Sequence, residues 1–139
     1  MKKLENLKII ISKMIQTILT PNAPKPAGHY SQATSWNDLI FVAGQLAIKP
    51  DGTKVLGTIE EQTQQALENL KAIVEAAGSD LHHILKTTVY VTDIELWGRV
   101  NAVYSDFFGD AKPARAIVPT KNLHYGFLIE IEAIAVKQV

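Results

Sequence analysis

The stretch "LIEIEAIAV", residues 128–136, alternates without a break. Ile129, Ile131, Ala133 and Ala135 fall on one side, and Leu128, Glu130, Glu132, Ile134 and Val136 on the other. A period of two is a β-strand. The first side is wholly apolar and requires a covering layer. The second carries two carboxylates framed by Leu, Ile and Val. It is too apolar for open solvent and too charged for a closed core. A chain with this strand must build a sheet with helices on one face. The other face is expected to be an oligomer interface that contains a polar pocket.

The remaining elements fit that requirement. "HYSQATS" and "DLIFVAGQL" read as a β-hairpin with its turn near Asp38. In the second of these strands, Leu39, Phe41 and Ala43 form one apolar set, and Ile40, Val42 and Leu46 the other. A strand apolar on both sides is covered on both sides. "KPDGTK" is a turn with Asp51-Gly52 at its tip. "TIEEQTQQALENLKAIVEAAG", 58–78, is the clearest helix. Ile59, Ala66, Leu67, Leu70, Ile73, Val74 and Ala77 make its apolar stripe. Thr58 and Glu61 form a capping box, and Gly78 is the stop. "ILKTTVYV", 84–91, is a strand. Asp93 is expected to cap a second helix through Phe108, with Trp97, Val100, Val103, Tyr104 and Phe107 buried. Strands follow at about 114–119 and 127–136. The class is α+β, in the order β-β-α-β-α-β-β. It is a mixed sheet with two helices on one face and right-handed crossovers.

The 139 residues, 47% of them hydrophobic, suit one compact soluble domain. The opening "MKKLENLKIIISKMIQTILT" has only a short apolar run before Lys13, too short to span a membrane. Leu4, Leu7, Ile11, Met14 and Ile18 are spaced as in a short amphipathic helix. The favoured reading takes Met14 as a natural start, with "IQTILT" as a first strand. Residues 1–14 are then an N-terminal extension, helical or disordered, and 15–139 a single domain. "PNAPKPAG", 21–28, cannot be regular structure.

Fourteen basic and fourteen acidic residues balance. No long-range field draws a phosphate backbone, which argues against nucleic acid as the partner. The chain has no cysteine. Thiol nucleophiles, zinc–thiolate sites and disulfides are excluded, in keeping with a cytoplasmic protein.

Few residues are left to carry chemistry. His82 and His83 are adjacent, so their rings diverge, and no further metal ligands stand at chelating spacing. His29 and His124 are isolated, and a loop histidine such as His124 is more often a surface residue than a catalyst. Gly44 interrupts a strong strand, as at a bulge or where something approaches the backbone closely. Arg115, in "KPARAIVPTKN", is set among apolar neighbours, and a guanidinium there calls for an anion. Glu130 is placed similarly. The two either pair as an interface salt bridge or form a carboxylate-binding pocket. In the pocket reading the arginine fork grips a carboxylate. A half-buried glutamate with a raised pKa activates a water.

"AGHYSQA", "FVAGQL", "QALENLKAIVEAAGSDL", "ILKTTVYVTD", "VNAVYSDFFGDAKPARAIV" and "IEIEAIAV" together resemble the Rid (YjgF) family of small trimeric enamine/imine deaminases. The resemblance runs from about residue 15 to the C-terminus. It implies a chorismate mutase-like fold and a homotrimer, with sheets inside and sites between subunits. It also implies hydrolysis of 2-enamino and 2-imino acids, such as 2-aminoacrylate, to 2-keto acids and ammonia. Arg115 would grip the substrate carboxylate, Glu130 would position water, and Tyr30 would pack at the pocket. Backbone at Gly44 and Ile117 would line the site, with Asn101 supplied by a neighbouring subunit. No cofactor and no metal are implied. This chain has His29 where well-studied members have proline, Ala43 where many have serine, and Ile117 where many have cysteine. Two other readings are a non-catalytic trimer that binds keto or imino acids, and an endoribonuclease or translation inhibitor.

Overall fold

The computed structural model describes residues 1–138. The elements in chain order are α1 (Lys2–Ser12), β1 (Gln16–Ile18), β2 (Ala33–Trp36), β3 (Leu39–Gln45), α2 (Ile59–Ala76), β4 (Ile84–Val91), α3 (Trp97–Phe108), β5 (Ala114–Pro119) and β6 (Ile129–Val136). They form one mixed sheet in the order β1-β2-β3-β6-β4-β5. β6 is antiparallel to both its neighbours, β3 and β4. β5 runs parallel to β4 at the edge, so α3 is the crossover of a βαβ unit.

The final strand divides the molecule as its alternation requires. Ile129, Ile131, Ala133 and Ala135 are buried, and the residues between them are half-buried. The buried row meets α2, whose Ala66, Leu67, Leu70, Ile73 and Val74 are fully enclosed. Ile40 and Val42 of β3 and Val89 and Val91 of β4 complete this core. The Thr58 hydroxyl caps α2 by accepting the Glu61 amide at 3.2 Å. Gly78, at φ +86°, takes the left-handed turn that ends it.

Three details depart from the sequence reading and one agrees with it. The first hairpin strand is shorter than "HYSQATS". Gln32 turns its carboxamide toward the proline-rich segment, and regular pairing starts only at Ala33. The strand read in "IQTILT" is present as β1 and pairs with β2. Asp93 caps a 3-10 turn, Ile94–Leu96, rather than α3 itself. That turn rotates the start of α3, so Trp97 is 43% exposed and Phe108 takes a buried place, while Val103 and Phe107 are half-buried. Finally, the β3–β6 register shifts between Val42 and Gln45. This bulge buries Gln45 and moves Leu46 out of the set begun by Ile40 and Val42.

α1 contributes no buried residue. It is held at its end, where the Asn37 amide and the Trp36 indole donate to the Ser12 and Lys13 carbonyls.

Leu70 is enclosed on all sides, so truncation leaves a cavity. Leu70→Ala is expected to cost about 2–5 kcal/mol in urea unfolding with the m-value unchanged. A loss below about 1 kcal/mol would place the core elsewhere.

Candidate functional site

Two clefts lie on opposite faces of the sheet. The first, of about 340 Å³, opens on the face away from the helices. Glu130 projects into it from β6, one residue off the buried row. Ala43, Gly44, Leu46 and Ile48 wall it from β3 and the segment beyond, and Tyr30, His124 and Tyr125 close its rim. Burial lifts the Glu130 carboxyl above its ordinary value. The charge of Glu132 pushes in the same direction, and His124 pulls it part of the way back. Glu132 itself accepts a hydrogen bond from the Tyr90 hydroxyl at 3.0 Å.

Gly44 is both of the things an interrupting glycine suggests. It lies in the bulge, and Glu130 packs directly on its backbone. A Cβ there would fall 2.9 Å from the Glu130 Cδ and 3.1 Å from its Cγ. The missing side chain is what lets the carboxylate lie flat on β3.

Arg115 lies on the other face. It is in register with Thr87 of β4, which is buried on the helix side. Its Nη1 donates to Asn101 Oδ1 at 2.9 Å, and its guanidinium carbon lies 4.7 Å from the Tyr104 ring centroid and 5.6 Å from that of Trp97. The Tyr104 and Thr87 hydroxyls bond at 2.7 Å, which fixes the ring under the cation. Lys112 joins Arg115, Asn101 and Tyr104 in lining the second cleft, of about 360 Å³. Among the described residues no carboxylate stands within ion-pair distance of Arg115. The guanidinium has an amide and two aromatic faces but no anion.

The six residues singled out from the sequence therefore form two groups. Glu130, Gly44 and Tyr30 line the first cleft, and Tyr30 also accepts the Ala27 amide on its hydroxyl at 3.0 Å. Arg115 and Asn101 line the second. Ile117 lies two residues along β5 from Arg115, beside Val89, with its side chain against the core. β5 is an edge strand, so one row of its backbone groups has no strand partner within the protomer. Within one chain the sheet separates Arg115 from Glu130, and the two do not pair.

Several supporting residues escaped the sequence reading. The Gln32 carboxamide accepts the Thr20 amide at 2.7 Å and donates to the Thr20 and Pro24 carbonyls, which ties down the segment that leads to Tyr30. Asn69 donates to the Leu46 and Ile48 carbonyls at 3.1 and 2.7 Å. Gln62 accepts the Leu128 amide at 2.9 Å. Both are buried polar residues on α2 that reach past its apolar stripe, Asn69 to two walls of the Glu130 cleft and Gln62 to the residue before β6. His124 is exposed, as its loop position suggests, and also lines that cleft. His83 Nδ1 pairs with Asp80 at 2.6 Å. Among the described residues no group of three His, Cys, Asp or Glu is placed to hold a metal. No helix among them is long and apolar enough to cross a membrane.

The family model described as Endoribonuclease L-PSP matches residues 20–137. A RutC family protein of Pyrococcus horikoshii is 49% identical over 126 residues, covering 90% of this chain and all of the relative. The 2-iminobutanoate/2-iminopropanoate deaminase of Escherichia coli is 41% identical over 128 residues, again covering 90% and 100%. Among solved structures, the Escherichia coli YjgF gene product superposes with a TM-score of 0.84 at 41% identity, covering 88% of this chain and 99% of that one. Escherichia coli TdcF, solved with bound serine, gives 0.84 at 35% identity with the same coverage. Fold, match length and identity agree, and the chain belongs to the Endoribonuclease L-PSP family, also called YjgF, Rid or RutC.

Proposed function

We propose that this protein hydrolyses reactive 2-imino acids, formed from 2-enamino acids such as 2-aminoacrylate, to 2-keto acids and ammonia. The observation that carries the reading is the half-buried Arg115. It is held by Asn101 and two aromatic rings, yet no carboxylate neutralises it. A fork of that kind suits the carboxylate of a small organic acid. The deaminase name of one relative and the serine in the TdcF structure point to the same ligand class. The family model's endoribonuclease description favours RNA instead. Equal counts of acidic and basic residues do not support that alternative.

The reaction needs Arg115 and Glu130 around one substrate, and the two face opposite sides of the sheet. The proposed site is therefore shared. The β5 edge of one protomer, with Arg115, Asn101 and the backbone at Ile117, meets the Glu130 cleft of the next, with Gly44 and Tyr30. A homotrimer repeats this junction three times. Arg115 fixes the carboxylate and so fixes the imine carbon. Glu130 removes a proton from a water held beside that carbon, which turns a random encounter into a positioned attack. Tyr30 packs over the bound acid. An imine is already electrophilic, so the protein's own groups suffice. With no cysteine in the chain, we assign the reaction to the reducing cytoplasm.

Pyruvate release from enzymatically generated 2-aminoacrylate tests the reading. Arg115→Ala should abolish turnover, since a hydrogen bond to a charged group is worth roughly 1.5–3 kcal/mol and two are lost. Arg115→Lys should recover little, because an ammonium cannot reproduce the fork. A lysine variant near the wild-type rate would remove the bidentate grip. RNA cleavage that survives Arg115→Ala and repurification would favour the nuclease reading.

Glu130→Gln should lose the rate and keep the fold, and its stability carries a signed check. A carboxyl whose folded pKa lies above its unfolded value binds its proton more tightly in the native state. It then costs stability as pH rises past the unfolded value. The glutamine variant should melt above wild type at about pH 7 and converge with it near about pH 3, where the glutamate is protonated in both states. Equal melting temperatures at both pH values would contradict the raised pKa of this carboxyl.

A further inference from the structure

We propose that His124 is a second catalytic group of the Glu130 cleft, the acid that protonates the substrate nitrogen. The inference rests on the deaminase reading and extends it. His124 opens the 3-10 turn His124–Gly126 and lines the same cleft as Glu130. The turn is held in place. Tyr125 adopts a left-handed backbone at φ +59°, which a non-glycine residue rarely accepts without support. Its ring packs against His124 at 3.7 Å between centroids and edge-on to the buried Phe127 at 6.3 Å. Lys54 covers the Tyr125 ring at 4.6 Å from its centroid. Immediately after Phe127, the Leu128 amide is fixed by Gln62. An exposed imidazole has no need of such an anchorage for stability.

The neighbourhood suits an imidazolium. The groups around His124 are Glu130 from β6, Tyr30 from the 27–32 approach and Tyr125 from its own turn. Lys54 stacks on Tyr125, and Glu132 is two residues along β6 from Glu130. Glu130 is the carboxylate that shares the cleft with His124. His124 and Glu130 line one cleft, and the charge of His124 draws the Glu130 carboxyl slightly down.

The proton balance closes with these two groups alone. Water attacks the imine carbon as Glu130 takes one of its protons. The C=N pair moves to nitrogen, which takes a proton from the His124 imidazolium and becomes an amine. The Glu130 carboxyl then returns its proton to the neutral imidazole. In the second half Glu130 takes the hydroxyl proton of the carbinolamine and the C=O bond forms. The C–N bond breaks as nitrogen receives the second His124 proton and leaves as ammonia. A last transfer from Glu130 to His124 restores both groups. Nitrogen is served by one side chain and oxygen by the other throughout.

His124→Gln tests the assignment through the pH dependence of pyruvate release from 2-aminoacrylate. Wild type should lose rate on the alkaline side as the imidazolium deprotonates. The variant should lack that limb, with kcat lower by roughly 10²–10⁴-fold, the usual contribution of a positioned acid. Binding of 2-oxobutanoate, which needs no protonation step, should stay within about threefold. In wild type the His124 ring resonance should shift when 2-oxobutanoate is added. An active wild type whose His124→Gln variant keeps both rate and pH profile overturns the role of His124 and leaves the deaminase reading intact. A ring that ignores 2-oxobutanoate overturns it as well. A wild-type protein with no turnover overturns the deaminase reading and the His124 role together.

Discussion

Burial of the α2 stripe against the centre of the sheet supports everything else in this protein. Leu67, Leu70, Ile73 and Val74 meet Ile129, Ile131, Ile40 and Val42 with no solvent between them. At roughly 1.5–3 kcal/mol for each large side chain removed from water, this contact dominates the favourable side of folding. The same helix also carries Gln62 and Asn69, whose amides hold Leu128 and the Leu46–Ile48 segment. The core and the Glu130 cleft are therefore fastened to one rod. A shift of α2 large enough to repack the core would also move the walls around the carboxylate.

The Arg115 and Glu130 clefts hold opposite chemistry although the chain as a whole is neutral. Arg115 and Lys112 gather beside α3 at the β5 edge. Glu130 and Glu132 lie on the open face of β6, with the exposed Leu39 and Phe41 nearby on β3. A bare face of that composition is poorly matched to water. A cationic cleft on one face and a carboxylate-bearing cleft on the other give two copies of the chain a reason to attract one another locally.

Features governed by local spacing were legible in the sequence. β6 and α2 declare themselves by period, and Thr58 and Gly78 by the needs of a helix end. Gly44 stood out because nothing else breaks so apolar a strand. Features made by distant contacts were not legible. Asn69 bonds to residues more than twenty positions away and Gln62 to one sixty-six away, so on the helix they read as ordinary polar positions. Gln32 cut the first hairpin strand short because its side chain bonds back across a proline-rich loop, which no alternation reveals. Trp97 was assigned to the core by helical spacing. The 3-10 turn before it changed the phase and left it over Arg115 instead. The separation of Arg115 from Glu130 follows from strand register, which becomes visible only once β4, β5 and β6 are aligned.

The position of β6 has a consequence for how the chain comes to be made. It is the last strand in sequence and a central one in space, between β3 and β4. During synthesis those two strands have no partner to bridge them until residues 129–136 leave the ribosome. Until then each presents an open ladder edge that another nascent chain can pair with. The hydrophobic covering of α2 is likewise incomplete, because half of its docking surface is still to come. Folding of this sheet is thus deferred until β6 has emerged, and a ribosome stalled before residue 129 would hold a chain without its central strand.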